Sequence, residues 1–288
     1  MDKSYWQAIV DAEYAVPANR SVAELTPELL SMLGSSDPHL RDKYAYPILA
    51  IWLSKGLYNL QETRAMTLQL LSNLSMGLGE QGTDTVFLRA FSALMLAEVV
   101  HQDNKRSFLN ESDVRHILEQ ALAYYPAERD LRGYLPGPGW AHAVAHGADL
   151  LWVLSASRYL EAADLERVLD ALASKIAPPA AHVYLFNEDQ RMVRATLGVL
   201  RRDLLSTDYF KGWLELLTNH EGHRVSIEKF LDGEPPMIAS EVNVSLLHNT
   251  RQFLSALYLH LTTDEDPPAN SGDLALLVLE SLKPMNTW

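Results

Sequence analysis

From Trp140 to Leu154 the sequence reads Trp-Ala-His-Ala-Val-Ala-His-Gly-Ala-Asp-Leu-Leu-Trp-Val-Leu, and only His142, His146 and Asp149 interrupt its apolar and small residues. Spacings of four and three residues predict a helix that carries these three side chains on one stripe. A helix otherwise apolar all round belongs in an interior. This stretch constrains the fold more than any other. It requires enough surrounding chain to cover a helix on every side, and it requires partners for three polar groups. Each such group left unpaired costs about 1–3 kcal/mol, and a charged one costs more.

The rest of the chain can supply that cover. Its 288 residues, 48% of them hydrophobic and 21% charged, suffice for a large core. Helical patterns follow one another along it. Tyr5 to Val16 reads as a helix ending before Pro17, and Thr26 with Pro27 reads as an N-cap followed by a first helical residue. Ser36-Asp37-Pro38 starts another helix, which Pro47 must kink or divide. Gln61 to Leu78 ends in a turn at Gly77, Gly79 and Gly82. Val86 to Val100 follows, and then Glu111 to Tyr125, capped by Asn110 and followed by Pro126.

Beyond the central helix the pattern continues with Asp164 to Ile176, Glu188 to Leu205, a helix capped by Ser206 and running to Leu217, Glu241 to Leu261, and Asp273 to Leu282. Asn219 to Arg224 reads as a loop and Ile227 to Leu231 as a short piece. Ala181 to Phe186 has strand-like residues but no pairing partner, so it reads as an extended connector. The expected class is all-α: an irregular array of antiparallel helical hairpins forming an α-α superhelix, in a single domain over 1–288 with a bend near 178–187 or 231–240. No repeat of thirty to fifty residues is evident.

A formal net charge of -13 opposes an extended phosphate-binding surface, so neither nucleic acid nor an anionic membrane is an expected partner. With no cysteine, disulfides, thiolate metal sites and a cysteine nucleophile are excluded. The N-terminal residues lack a basic and then apolar order, and no apolar run approaches a membrane span, so a soluble cytoplasmic protein is expected.

His142 and His146 at i and i+4 can aim two imidazoles at one divalent metal, with Asp149 as an oxygen ligand one turn on. The zincin pattern requires a Glu directly after the first His, and that position is Ala143. The competing explanation is structural, in which the three side chains hydrogen-bond to neighbouring helices. Asp130 and Arg132 precede the Pro-Gly-Pro-Gly turn at Pro136–Gly139 and can fold over the same mouth. Arg89, in an apolar helix, calls for a buried acidic partner or a cavity. Glu188, Asp189 and Arg191 cluster at a helix start, where dipole capping explains the carboxylates. Asn243, His248, Asn249 and Arg251 form a later polar set for which solvent exposure is expected. No serine sits in a nucleophile elbow, so a hydrolase triad has no support.

Asp130-Leu-Arg-Gly-Tyr134 followed by Gly139-Trp-Ala-His-Ala-Val-Ala-His-Gly-Ala-Asp149 resembles the signature of an uncharacterised bacterial family, domain of unknown function 2785. Arg89-Ala-Phe-Ser-Ala-Leu94 and Glu188-Asp-Gln-Arg191 are similar to two further blocks in the same order, with one departure at Ala90, where a small hydroxyl residue is expected. The resemblance implies an all-helical bacterial protein. It also implies that Arg89, Asp130, Arg132, His142, His146, Asp149, Glu188 and Arg191 belong to one constellation. Two functions follow as expectations. One is a pocket lined by these residues for a small polar ligand, with or without a divalent metal. The other is a non-enzymatic scaffold whose concave helical surface holds a protein partner and whose polar stripe is structural.

Overall fold

A computed structural model of the protein describes residues 2–218 and 241–285. The features expected over Asn219–Arg224, Ile227–Leu231 and 231–240 lie outside the described residues. The class is all-α, with twelve α-helices and a two-stranded hairpin among the described residues. The chain divides into two compact units, Met1–Tyr159 and Leu160–Trp288, so Pro178 and Pro179 fall inside the second unit.

The first unit contains α1 (Lys3–Asp11), α2 (Val22–Met32), a π-helical segment (His39–Ala45), α3 (Tyr46–Ser54), α4 (Leu60–Asn73), α5 (Thr85–Arg106) and α6 (Glu111–Ala127). The strands β1 (Tyr134–Leu135) and β2 (Gly139–Trp140) and helix α7 (Ala143–Ser155) complete it. Local chemistry explains most of the boundaries. Asn59 with Glu62 and Asn110 with Asp113 form capping boxes that start α4 and α6. Pro47 stands at the first turn of α3 and divides it from the π-helical segment, as its missing N–H requires.

Several expected boundaries are corrected; the helix expected over Glu188 to Leu205 ends at Leu200 and that over Gln61 to Leu78 ends at Asn73. Helix α1 stops at Asp11, because Glu13 and Tyr14 take left-handed conformations (φ 53° and 63°). Helix α2 starts at Val22, five residues before Pro27, because Ser21 and Glu24 make a stronger start signal than Thr26. Pro27 therefore lies inside α2, where it has no N–H to give the Ala23 carbonyl, and the Thr26 hydroxyl instead donates to the Val22 carbonyl. Pro126 likewise falls inside the last turn of α6 rather than after it.

Helix α5, 22 residues and about 33 Å long, packs against α3, α4, α6 and α7. In α7 every residue except Trp152 is buried, as an all-apolar circumference requires. Gly147 sets how closely α6 can approach it. A Cβ there would lie 2.3 Å from the Tyr125 ring, so only a glycine permits this packing.

The second unit contains α8 (Ala162–Ile176), α9 (Glu188–Leu200), α10 (Thr207–Thr218), α11 (Glu241–Thr263) and α12 (Ser271–Leu282), ending in a 3₁₀ turn at Lys283–Met285. Helix α9 packs on α8 and α11, and α12 packs on α10 and α11. The segment before α9 is extended and pairs with no strand, as expected. Its backbone is held by Asn249, which is buried, not exposed: the Tyr184 N–H donates to its side-chain oxygen (3.2 Å) and its amide donates to the His182 carbonyl (2.9 Å). No helix among the described residues is long and apolar enough to cross a membrane.

Candidate functional site

The chain between Asp130 and α7 forms a hairpin. Tyr134 pairs with Trp140 and Leu135 with Gly139 across the Pro-Gly-Pro turn. The ladder continues past the strands: the Ala141 N–H donates to the Gly133 carbonyl (2.9 Å) and the His142 N–H donates to the Arg132 carbonyl (3.0 Å). Gly139, at φ 80°, lies where a Cβ would press on Pro38, Arg41 and Asp42. The Arg41 guanidinium, wholly buried, donates to the Pro138 carbonyl (2.7 Å) and stacks over Phe87 and Phe91. Arg41 thus fixes the hairpin tip, a role with no local signature in the sequence.

The hairpin corrects the expected stripe. Helix α7 begins at Ala143, and His142 is its N-cap in the left-handed conformation (φ 52°). His142 is committed to the hairpin ladder, so only His146 and Asp149 share a helical face. The two imidazoles nevertheless meet, ring centroids 5.5 Å apart and edge to face. They belong to a row of rings in which Tyr134 contacts Trp140, Trp140 stacks on His142 at 4.7 Å, and His146 packs edge-on to Phe91 at 4.9 Å. Tyr134 and Trp140 are exposed, whereas His142, His146 and Asp149 are buried. Among the described residues no three His, Asp or Glu side chains are grouped so as to hold one metal ion.

Arg89 has the buried acidic partner that its surroundings require, and the partner is Glu128. The guanidinium donates through Nε (2.6 Å) and one terminal nitrogen (3.0 Å) to the two carboxylate oxygens, with both side chains buried. Its other terminal nitrogen donates to the Met76 and Gly77 carbonyls and to the Thr85 hydroxyl. Burial opposes the Arg89 charge, but the hydrogen bonds and charge of Glu128 outweigh it and raise the guanidinium's pKa above its ordinary value.

Glu128 also accepts from the Asp130 N–H (2.9 Å). Asp130 in turn accepts from the Gly82 N–H (3.0 Å) and from the Arg132 guanidinium, which reaches on to the Thr83 carbonyl (2.7 Å). Arg89, Glu128, Asp130 and Arg132 therefore form one network that staples the Gly77–Thr85 loop to the segment leading into the hairpin. Glu128 was not singled out in the sequence, although it stands two residues before Asp130 and just after the end of α6.

Glu188 and Arg191 stand in the first turn of α9, in the second unit. Glu188 is buried and accepts from the Phe186 N–H at 2.8 Å. Burial, together with the neighbouring Asp189 charge, raises its carboxyl pKa above the ordinary range.

None of the eight residues expected at a site lines a large concavity found in the first unit. That concavity, about 1100 Å³, lies between α2 and α4, with the start of α5 at one end. Ala23, Pro27, Leu30 and Gly34 form one wall and Glu62, Met66, Gln69 and Asn73 the other. Several of its polar groups are paired, Thr26 with the Tyr58 hydroxyl (2.9 Å), Gln69 with Asn73 (2.9 Å), and Asn73 with Ser92 (3.0 Å) behind the wall. The sequence contained the signal, because positions i, i+4, i+7 and i+11 of both helices fall on the walls.

No curated protein and no solved structure matches the chain. The profile of the family described as "Protein of unknown function (DUF2785)" matches residues 74–259, nearly two thirds of the chain. All the blocks that suggested the resemblance lie inside that span, including the Arg89 network, the hairpin and α7. On this match the chain belongs to the DUF2785 family of proteins of unknown function.

Proposed function

We propose that the protein is a non-enzymatic binding protein, in a bacterial cytoplasm, whose ligand surface is the groove between α2 and α4. One observation carries this reading. The groove is a concavity of about 1100 Å³ walled by one stripe from each helix, and Thr26, Tyr58, Gln69 and Asn73 on its walls are held in hydrogen bonds to other side chains. The four-residue polar network at Arg89 acts as framework, because its charges face each other and backbone groups. The walls come from residues 23–73, ahead of the span that matches the family.

Nile red, a neutral dye that brightens in apolar sites, tests the reading. The wild type should bind it at one saturable site. Ala65→Trp, at an exposed position of α4 facing the groove, should abolish that site without lowering the melting temperature. Undiminished binding by the variant, or no binding by the wild type, would overturn the reading.

A second reading keeps a small polar ligand at His142 and His146. The row of rings favours it, since the row reaches solvent at Tyr134 and Trp140. A compound present at a hundred times its dissociation constant adds about 2.7 kcal/mol to stability. A thermal-shift screen of small polar compounds and divalent metals therefore decides the matter. A compound that stabilises the wild type but not His146→Ala supports it, and the absence of any such compound rejects it.

A further inference from the structure

The groove has a length, an opening and a charge pattern that together specify an occupant. One wall runs from Ala23 on α2 to Gly34 just past its end and the other from Glu62 to Asn73 on α4, twelve residues in each case, or about 16 Å from the first Cα to the last. That is three helical turns. The two walls run in the same direction. Thr26, early in α2, bonds to Tyr58, just before α4, while Gly34, after α2, lies against Leu88 near the start of α5. They pack on other helices, α2 on α3 and the π-helical segment and α4 on α5, so the space between them is left unfilled. The volume of about 1100 Å³ is at the upper end of the roughly 300–1,000 Å³ of small-molecule pockets and leaves room for a larger occupant. Both walls are helices, so they offer no strand edge to which a further strand could be added.

The charges are all of one sign. Glu62 stands at one end of the groove, Glu80 and Asp84 at the other, and among the described residues no Lys, Arg or His lines it. Between the ends the surface is apolar or small, with Leu30, Met66, Met76 and Leu88 as its larger groups. Met76 is 54% exposed, and its flexible thioether can adapt to an apolar neighbour. Hydrogen bonds from the Thr85 and Thr83 hydroxyls hold the Glu80 carboxyl below its ordinary pKa, so Glu80 stays ionised.

Resting on the groove as the ligand surface, we infer that its occupant is a three-turn amphipathic helix of a partner protein, apolar along one face and carrying Lys or Arg at both ends. A second copy of this chain, with a net charge of -13, is a poor match for an acidic rim.

Fluorescence anisotropy of the full chain with labelled designed helices tests this. The helices share Leu at i, i+4, i+7 and i+11, in several registers, and differ only in Lys, Gln or Glu at both ends. The Lys-ended set should bind at least about tenfold tighter than the Glu-ended set. Glu80→Gln with Asp84→Asn should weaken the Lys-ended set about tenfold, as expected for two exposed ion pairs, and added salt should do the same. Ala65→Trp should abolish binding of every helix. Equal affinity for Lys-ended and Glu-ended helices would overturn the charge assignment, and Nile red binding with no helix bound would overturn the helical occupant. Both results leave the groove itself standing as a ligand site. Loss of both dye and peptide binding would overturn the groove as well.

Discussion

Arg89 and Glu128, 39 residues apart in sequence, meet in two parallel hydrogen bonds of 2.6 and 3.0 Å with both side chains buried. Such a pair contributes little net stability compared with an apolar replacement, but losing one partner leaves an uncompensated buried charge. Glu128→Gln should therefore cost about 3–5 kcal/mol in urea-induced unfolding. It should also loosen the Gly77–Thr85 loop, whose carbonyls Arg89 holds, and hydrogen exchange at the Gly82 amide would detect this. A loss below about 1 kcal/mol would show that solvent reaches the pair.

Gly147 is the contact point of α6 on α7. Replacing a helical glycine with alanine normally gains about 1 kcal/mol. Here the new Cβ would lie 2.3 Å from the Tyr125 ring, and overpacking costs about 1–3 kcal/mol. The clash should win. Gly147→Ala is expected to lower the melting temperature, and Gly147→Ala with Tyr125→Leu should recover part of the loss.

Tyr58 stands at the head of the groove. Burial, with a smaller contribution from the Glu62 charge, outweighs the hydrogen bond to Thr26 and pushes its phenol up to about 12 from 10.0. A pKa higher in the folded state than in the unfolded state means that the stability is fully present below pH 10 and is lost as pH rises through about 12. Ultraviolet titration of wild type and Tyr58→Phe should show one phenol missing from the late part of the curve. The variant should also lose less stability between pH 10 and 12 than the wild type. Identical alkaline profiles would refute the assignment.

Asn249 is expected to matter more than its place in a helix suggests. Asn249→Ala would leave the buried Tyr184 N–H and the His182 carbonyl without their partner, at about 1–3 kcal/mol. Asn249→Asp keeps the acceptor for the Tyr184 N–H but, when ionised, faces the His182 carbonyl with a second acceptor, so it should be destabilised at neutral pH and recover toward wild type at a pH where the aspartate is protonated and its O–H can donate. Chemical denaturation of both variants checks this.

The sequence by itself determined the class, nearly all the helices of the described residues, and the burial of α7. These features depend on local quantities: the 3.6-residue recurrence of apolar side chains, the Asn and Pro signals at helix starts, and an apolar circumference that must be covered on all sides. The blocks that carried the family resemblance, the Arg89 block, the hairpin and α7 among them, all lie inside the matched span. Tertiary structure decided which side chains meet. His142 left the helical stripe because hairpin hydrogen bonds to Arg132 hold its backbone at φ 52°, an arrangement that helical spacing cannot reveal. Glu128 and Arg41 acquired their roles from partners 39 and 97 residues away. The groove arose because α2 and α4 each pack on other helices, so a cavity formed where their two stripes face each other. Periodicity shows that a helix has a face to cover, and only the packed chain shows whether that face is covered.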